Sequence, residues 1–172
     1  MFYVDITNKR PWDLTSDQAL NNAQEIYDFF IDKGYTEEAA AGIIGNMAVE
    51  SYLNPGQIGH GYKVYNRYSP RGFIMWTSSP NIDSLYRVLG YDQWHNGYLQ
   101  LEYIQYNPNN LVFCPNPDMG YNYSWVEYSQ LTDLEEAVKA FCWEAERPKP
   151  ASAHINLRIK YAMYYLNVVK EV

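Results

Sequence analysis

The chain has 172 residues, the size of one domain that can bury a core without metal or disulfide bonds. Apolar residues make up 47% of it and charged residues only 19%, which argues against a disordered chain. The formal net charge is −7 and no basic patch is visible, so nucleic acid is not an expected partner. No run reaches the roughly 18 apolar residues that a membrane helix needs, so a membrane is not an expected partner either.

Hydrophobic spacing and capping residues predict six helices along the chain. The first ends at Gly34, and the second breaks at the Asn-Pro-Gly sequence that begins at Asn54. Capping residues precede four of them: Thr15 with Gln18, Thr36, Ser79 with Pro80, and Thr132 with Glu135. The predicted helices span about residues 16–33, 36–52, 79–90, 92–106, 132–146 and 153–169.

Two segments between these helices have a different character. Residues 56–76 are rich in glycine and tyrosine, and the alternation within 62–65 predicts a small β-hairpin or an irregular loop. Residues 107–130 have the Asn, Pro and Tyr content of a loop. The predicted fold is therefore mainly α (α+β), a single domain over 1–172 in which 1–14 form an N-terminal extension without the pattern of a signal peptide.

The two cysteines, Cys114 and Cys142, lack the spacing of zinc ligands. They could pair in a disulfide or stay as buried thiols, and the sequence leaves both alternatives open. A thiol nucleophile activated by His60, His95 or His154 is a weak hypothesis, because any chain with two cysteines and three histidines offers such pairs.

Glu50 is the only formal charge between Ala39 and Tyr62. It continues the apolar face of a helix that is apolar all round, which is typical of a central helix. It also lies in the last turn, where unsatisfied carbonyls carry partial negative charge. Both features oppose ionisation and favour a proton-donating acid. Alternatively, Glu50 ends the helix in water or pairs with an arginine such as Arg67, Arg71 or Arg147.

Three motifs in order resemble one protein family. They are Gly-Asn-Met-x-x-Glu-Ser-x-x-Asn-Pro at 45–55, Gly-x-x-x-Trp-Thr at 72–77 and Glu-Arg-Pro at 146–148. This order, from about residue 23 to 166, resembles the phage tail lysozymes, which are peptidoglycan-degrading domains on virion tails. It is also similar to the lytic transglycosylases. The resemblance implies a lysozyme-like fold in which a central helix ends at the catalytic glutamate beside a small hairpin.

By this resemblance, Glu50 is the catalytic acid that cleaves the β-1,4 bond between N-acetylmuramic acid and N-acetylglucosamine. Aromatic rings pack on sugar C–H surfaces while their polar tips bind hydroxyls, which suits a saccharide cleft. No metal or organic cofactor is implied. The resemblance implies bacterial peptidoglycan as the partner and the virion tail as the location. It leaves open whether other phage tail proteins are also partners. The expected substrate contacts are Ser51, Tyr62, Tyr65, Tyr68, Trp76 and Thr77, although the apolar run around Trp76 also suits a core.

Two departures bear on the mechanism. Met75 stands where relatives often carry Gln, and a thioether cannot donate the hydrogen bonds of an amide. No Asp or Glu occurs from Ser51 to Ile82, although standard glycosidases use two carboxylates. Three mechanisms follow. In the first, a remote carboxylate such as Asp83, Glu144 or Glu146 acts as the base. In the second, the substrate's own N-acetyl group is the nucleophile, and in the third, Glu50 acts first as acid and then as base and gives a 1,6-anhydro product. The single-acid routes are preferred. A wall-binding or structural tail domain without turnover is the alternative class.

Overall fold

A computed structural model of the chain describes residues 1–7, 13–63, 66–77, 79–106 and 113–170. This part of the chain is mainly helical, and its short helical turns include a π-helical turn, Cys142–Glu146. The α-helices are α1 (Asp17–Asp32), α2 (Glu37–Ser51), α3 (Ser79–Leu89), α4 (Gly97–Tyr106), α5 (Trp125–Ser129), α6 (Leu134–Phe141) and α7 (Ile155–Val169). The predicted mainly α class is therefore confirmed.

Helix α2 lies at the centre of the fold, as its apolar sequence predicts. Every residue from Ala39 to Ala48 is buried, and α1, α6 and α7 pack around it. Two glycines allow the close packing. A Cβ on Gly42 would lie 2.9 Å from the carbonyl carbon of Ala137 in α6, and one on Gly45 would lie 2.5 Å from the carbonyl oxygen of Arg158 in α7. The backbone of α7 thus passes directly over the C-terminal half of α2.

The helix boundaries follow the predicted caps with local differences. Thr36 caps α2 as predicted, but Ser16 rather than Thr15 caps α1, and Asp133 rather than Thr132 caps α6. Helix α5 lies inside the segment predicted as loop, and it is opened by a capping box of Ser124 with Glu127. The predicted fourth helix is shorter, because a separate 3-10 helix, Tyr91–Gln93, precedes α4.

We call residues 57–77 the tyrosine loop, and the part of it that the structure describes is irregular. In the described part of this loop, isolated antiparallel bridges join Arg71 to Ile58 and to Trp76 instead of a strand ladder. The buried guanidinium of Arg71 donates to the carbonyls of Ser69 and Asn66 and lies over the Trp94 ring, 4.8 Å from its centroid. The loop is therefore held by its own backbone, while half of the alternation predicted in 62–65 lies outside the described residues.

The N-terminal residues 1–7 contact the core rather than extending away from it. Phe2 packs against Phe73 and so closely over Gly97 that a Cβ there would lie 2.4 Å from its ring. The amide of Asn54 pairs with the backbone of Asp5 in both directions, at 3.0 and 2.8 Å. This segment therefore braces the turn that follows α2. None of the helices that the structure describes is both long and apolar enough to cross a membrane.

Candidate active site

Glu50 lies in the last turn of α2, where the buried helix reaches the surface. The helix stops because Tyr52 and then Leu53 adopt left-handed backbone conformations, with φ values of 56° and 61°. The side chain of Glu50 is 22% exposed, so it is partly covered and still open to solvent.

The carboxylate of Glu50 is paired with Arg158. The Nη2 of Arg158, a residue of α7 that is only 1% exposed, donates to Oε1 of Glu50. A buried cation thus lies against the carboxyl group of Glu50. The alternative in which Glu50 pairs with an arginine is therefore the one that the structure shows. Its physical reason is that α7 packs over Gly45, which brings the guanidinium to Glu50.

Asn46 fixes the position of Arg158. The side-chain oxygen of Asn46 accepts from Nη1 of Arg158 at 2.9 Å, while its amide nitrogen donates to the carbonyl of Val138 in α6 at 3.0 Å. The Nε of Arg158 donates to the carbonyl of Ala153 at 2.7 Å. A fully buried amide thus joins α2, α6 and α7 and aims the guanidinium at Glu50.

The arginines proposed from the sequence as partners of Glu50 are engaged elsewhere. Arg67 pairs with Asp83 at 3.1 Å on the surface, and Arg71 binds its own loop. Arg147 donates to the carbonyls of Glu144 and Cys114. Each of these three contacts fixes local backbone or a surface pair, so the identity of the partner was the wrong part of that hypothesis.

Glu146 is a second carboxyl group beside this ion pair. It ends the π-helical turn, and its Oε1 is buried with no hydrogen-bond partner in the structure. Burial raises the pKa of Glu146 well above its ordinary value, and the charge of Glu50 raises it further, while Arg158 opposes both. Burial and the neighbouring negative charge therefore favour the neutral acid at this position.

Cys142 lies in the same cluster, at the start of the π-helical turn. Its thiol is fully buried and unpaired, and burial raises its pKa to about 12. A thiol with that pKa carries almost no thiolate at neutral pH, and the thiolate is the nucleophile. Cys114 is also a free thiol, so the two cysteines do not form a disulfide. The geometry gives no support to a thiol nucleophile at Cys142.

Asp83 and Glu144, which the sequence also offered as the second carboxylate, make contacts with other residues. Asp83 is in its surface pair with Arg67. Glu144, fully buried on the π-helical turn, accepts the backbone N–H of Tyr123 at 2.9 Å, and burial raises its pKa to about 7. No group of three or more His, Cys, Asp or Glu side chains among the described residues could hold a metal ion.

The predicted substrate contacts divide into buried and exposed residues. Ser51 is fully buried and its hydroxyl donates to the carbonyl of Met47. Trp76 is 3% exposed and packs against Tyr103. Neither offers a free face to a saccharide in this structure, because both side chains are buried. Tyr62, Tyr68 and Thr77 are exposed, whereas Tyr65 lies outside the described residues.

Sequence reasoning missed Asn46 and Arg158. Asn46 carried a usable signal, because it stands four residues before Glu50 on the same helix face and is the one amide between Ala39 and Ala48. Arg158 gave none, because its spacing within residues 156–161 is that of an ordinary helix face. Only the packing of α7 on α2 makes it a partner of Glu50.

The sequence of this chain matches a known protein family. The family model described as phage tail lysozyme matches residues 21–169, nearly the whole chain. The match runs from α1 to the end of α7 and includes Glu50, Glu146 and Arg158. It supports a phage-associated, lysozyme-like function in cell-wall lysis. The chain therefore belongs to the phage tail lysozyme family.

Proposed function

We propose that this protein cleaves the β-1,4 bond between N-acetylmuramic acid and N-acetylglucosamine in peptidoglycan, with Glu50 as the general acid. The observation that carries the proposal is the position of Glu50. It is the one charged side chain between Ala39 and the end of α2, it is partly exposed at the helix end, and a buried arginine holds it there. The pair of Glu135 with Lys139 is a contrast, because neither of its side chains is buried.

In the proposed reaction, a protonated Glu50 donates to the glycosidic oxygen while the bond to the anomeric carbon breaks. The sugar then carries positive charge as an oxocarbenium-like species, and the anionic Glu50 stabilises it. A carboxylate that has just lost its proton can next act as a base. Arg158 keeps the side chain in one orientation through both steps, because its own three other hydrogen bonds to Asn46 and Ala153 fix the guanidinium.

The second step has two possible nucleophiles. If Glu50 activates water, the product is a reducing sugar; if it activates the sugar's own 6-hydroxyl, the product is a 1,6-anhydro sugar. The acid-free stretch from Ser51 to Ile82 favours routes that need one protein carboxylate. Asp83 and Glu144 are held by other partners, which also favours those routes. Lytic transglycosylase activity is therefore the second candidate.

The proposed setting is a phage tail that brings the domain to the host wall. Peptidoglycan is the proposed partner, and other tail proteins would hold the domain on the virion. The exposed rings of Tyr62 and Tyr68, each about half exposed, are the proposed saccharide platforms. They lie on the tyrosine loop, which follows α2 in the chain after residues 52–56.

The test is digestion of purified peptidoglycan by the wild type, by Glu50→Gln and by Glu135→Gln. The last variant makes the same chemical change at a side chain that is 64% exposed. We expect Glu50→Gln to lose about 100-fold or more of the release of new saccharide ends, since general acid catalysis contributes roughly that much. Glu135→Gln should retain wild-type activity. Mass spectrometry of the products then separates reducing ends from anhydro ends.

Two outcomes would contradict the proposal. Wild-type activity in Glu50→Gln would mean that another group supplies the proton. Absence of cleavage by the wild type, with wall binding retained in both proteins, would favour the non-catalytic wall-binding domain. The burial of Trp76 and the pairing of Glu50 are the observations that keep this last alternative in the test.

A further inference from the structure

Two exposed aromatic rings and an exposed guanidinium are joined into one surface by the buried ring of Tyr86. The guanidinium carbon of Arg67 lies 5.1 Å from the centre of the Tyr68 ring and 5.5 Å from the centre of the Tyr86 ring. The ring of Tyr91 lies 5.0 Å from that of Tyr86. Tyr68, Tyr91 and the side chain of Arg67 are each about half exposed. We call these four residues the Arg67 surface.

Tyr86 holds the Arg67 surface in place from below. Its side chain is buried, and its hydroxyl donates to the backbone carbonyl of Arg67 at 2.7 Å. The buried guanidinium of Arg71 lies 5.6 Å from the centre of the same ring. Tyr86 belongs to α3 and Tyr91 to the 3-10 helix that follows it, so the surface crosses from the tyrosine loop to the next elements of the chain. A surface fixed in this way loses little freedom when it binds a ligand.

The charge of the tyrosine loop is opposite to that of the whole chain. The chain has a net charge of −7, whereas the loop contains Lys63, Arg67 and Arg71 and no Asp or Glu. Asp83 of α3 accepts a hydrogen bond from Nη2 of Arg67 at 3.1 Å. Both side chains of this pair are about half exposed, so the pair is weak. A guanidinium has five N–H donors, and Arg67 can therefore bind a carboxylate of a ligand beside Asp83 or in its place.

We propose that the Arg67 surface binds a peptidoglycan glycan strand at its N-acetylmuramic acid residues, with sugar rings on Tyr68 and Tyr91 and a carboxylate on Arg67. The inference rests on the proposed function, which supplies peptidoglycan as the partner. N-acetylmuramic acid differs from N-acetylglucosamine by a lactyl group. The carboxyl group of this lactyl unit is either free or extended by a peptide that itself ends in a carboxylate.

The rings and the guanidinium contribute different properties to this binding. An aromatic ring packs on the C–H face of either sugar, so Tyr68 and Tyr91 give affinity without selecting one sugar. A guanidinium binds a carboxylate through directional, charge-assisted hydrogen bonds, so Arg67 selects the muramic residue. The net charge of the chain does not attract an anionic polymer, and a cation beside the aromatic rings offsets this locally.

The test compares two saccharide probes of equal length in binding to the Glu50→Gln protein, so that no cleavage occurs. One probe is a peptidoglycan glycan strand freed of its peptides, in which each muramic residue has a free lactyl carboxylate. The other is a chitin oligosaccharide, a β-1,4 chain of N-acetylglucosamine without carboxylates. We expect the muramic probe to bind more tightly. Adding Arg67→Gln should weaken the binding of the muramic probe by about tenfold and leave that of the chitin probe unchanged.

Two further variants complete the comparison. Tyr91→Ala should weaken the binding of both probes roughly twofold to tenfold, because its ring packs on either sugar. Lys139→Gln removes a cation from another exposed ion pair, and it should bind both probes as the parent protein does.

Three results would overturn the proposal. They are equal weakening of both probes by Arg67→Gln, an unchanged preference for the muramic probe in that variant, and unchanged binding of both probes by Tyr91→Ala. None of these measurements uses cleavage. Selective binding of the muramic probe by a protein that digests no peptidoglycan would support the Arg67 surface while contradicting the proposed activity, so the two proposals can fail separately.

Discussion

The two sides of the proposed cleft hold their polar side chains in different ways. On the helical side, Asn46, Arg158 and Glu50 bond to one another across α2 and α7, with Val138 of α6 joined to Asn46. On the tyrosine loop, the one buried cation, Arg71, binds backbone carbonyls of its own loop. The first arrangement holds a carboxyl group at the surface, whereas the second holds no acidic side chain and leaves Tyr62 and Tyr68 exposed.

This difference separates chemistry from recognition in the proposed site. A reacting group must be held in one geometry, and rigid helices with interlocking hydrogen bonds provide that. A polymer contact can tolerate a less regular surface, such as the exposed tyrosines of the loop. The sequence shows the same difference, because no Asp or Glu occurs on the loop side from Ser51 to Ile82. Mutations on the two sides should therefore have different effects.

The largest effect is expected from Arg158→Ala. Removing the guanidinium leaves Glu50 and the side-chain oxygen of Asn46 without their partner, and breaking a buried pair costs about 3–5 kcal/mol. Because the Glu50 carboxylate is 22% exposed, we expect the lower end of this range. Urea unfolding measures it. Lys139→Ala, which breaks the exposed pair with Glu135, should cost less than about 1 kcal/mol.

Equal and small losses in these two variants would show that the helical side is not held by the buried pair. A stable Arg158→Ala with normal wall cleavage would contradict the role given to Arg158 altogether. Arg158→Lys gives a sharper comparison, since a lysine keeps the charge but cannot bond to Glu50, Asn46 and Ala153 together.

A smaller effect is expected from Glu144→Gln, and it depends on pH. Burial raises the pKa of Glu144 to about 7, so the folded protein holds a proton there that the unfolded chain has released. Stability therefore falls as the pH rises from the unfolded value of 4.5 through about 7. Glutamine removes this dependence, and the loss of stability between pH 5 and pH 8 should shrink by about 1–3 kcal/mol.

Thermal or urea unfolding at pH 5 and at pH 8 measures this dependence of stability on pH. Glu136→Gln is a suitable control, since its carboxylate lies nearer the surface and accepts from the Tyr123 hydroxyl. A slope unchanged in Glu144→Gln would mean that Glu144 is ionised in the folded state at neutral pH.

The smallest effect on stability is expected on the loop side. Tyr68 is half exposed and touches the Arg67 guanidinium, so Tyr68→Ala should change the free energy of unfolding by less than about 0.5 kcal/mol. The affinity of the Tyr68→Ala variant for peptidoglycan should fall roughly twofold to tenfold, because one aromatic contact contributes about that much to binding. Tyr106→Ala, at an exposed ring on α4, should bind as the wild type does. Equal binding by both variants would remove Tyr68 from the recognition surface.

The sequence predicts the helical core well because its signals are local. The cap of α2 at Thr36, its apolar circumference and its end before Asn54 are all decided by neighbouring residues, and the structure agrees. Helix α5 is missed because its five residues are too short for periodicity to detect. The π-helical turn is missed because a capping box predicts where a helix begins but not where its hydrogen-bond pattern changes.

The candidate site is predicted only in part, for a related reason. Glu50 stands out because an isolated charge in an apolar helix is visible in one stretch of sequence. Arg158 is 108 residues away, and its contact depends on how α7 packs over Gly45. Glu146 was one of several remote acids in the sequence, and only in the fold does the charge of Glu50 act on it. Partners that meet only through tertiary packing leave no local pattern.

The most direct test is a crystal structure of Glu50→Gln with a bound peptidoglycan saccharide long enough to span the cleft. We predict that a glycosidic oxygen lies within about 2.6–3.2 Å of the residue 50 side chain, the reach of a general acid. We also predict that the rings of Tyr62 and Tyr68 contact the same bound saccharide. A saccharide that binds with no glycosidic oxygen near residue 50 would contradict the assignment of Glu50 as the acid.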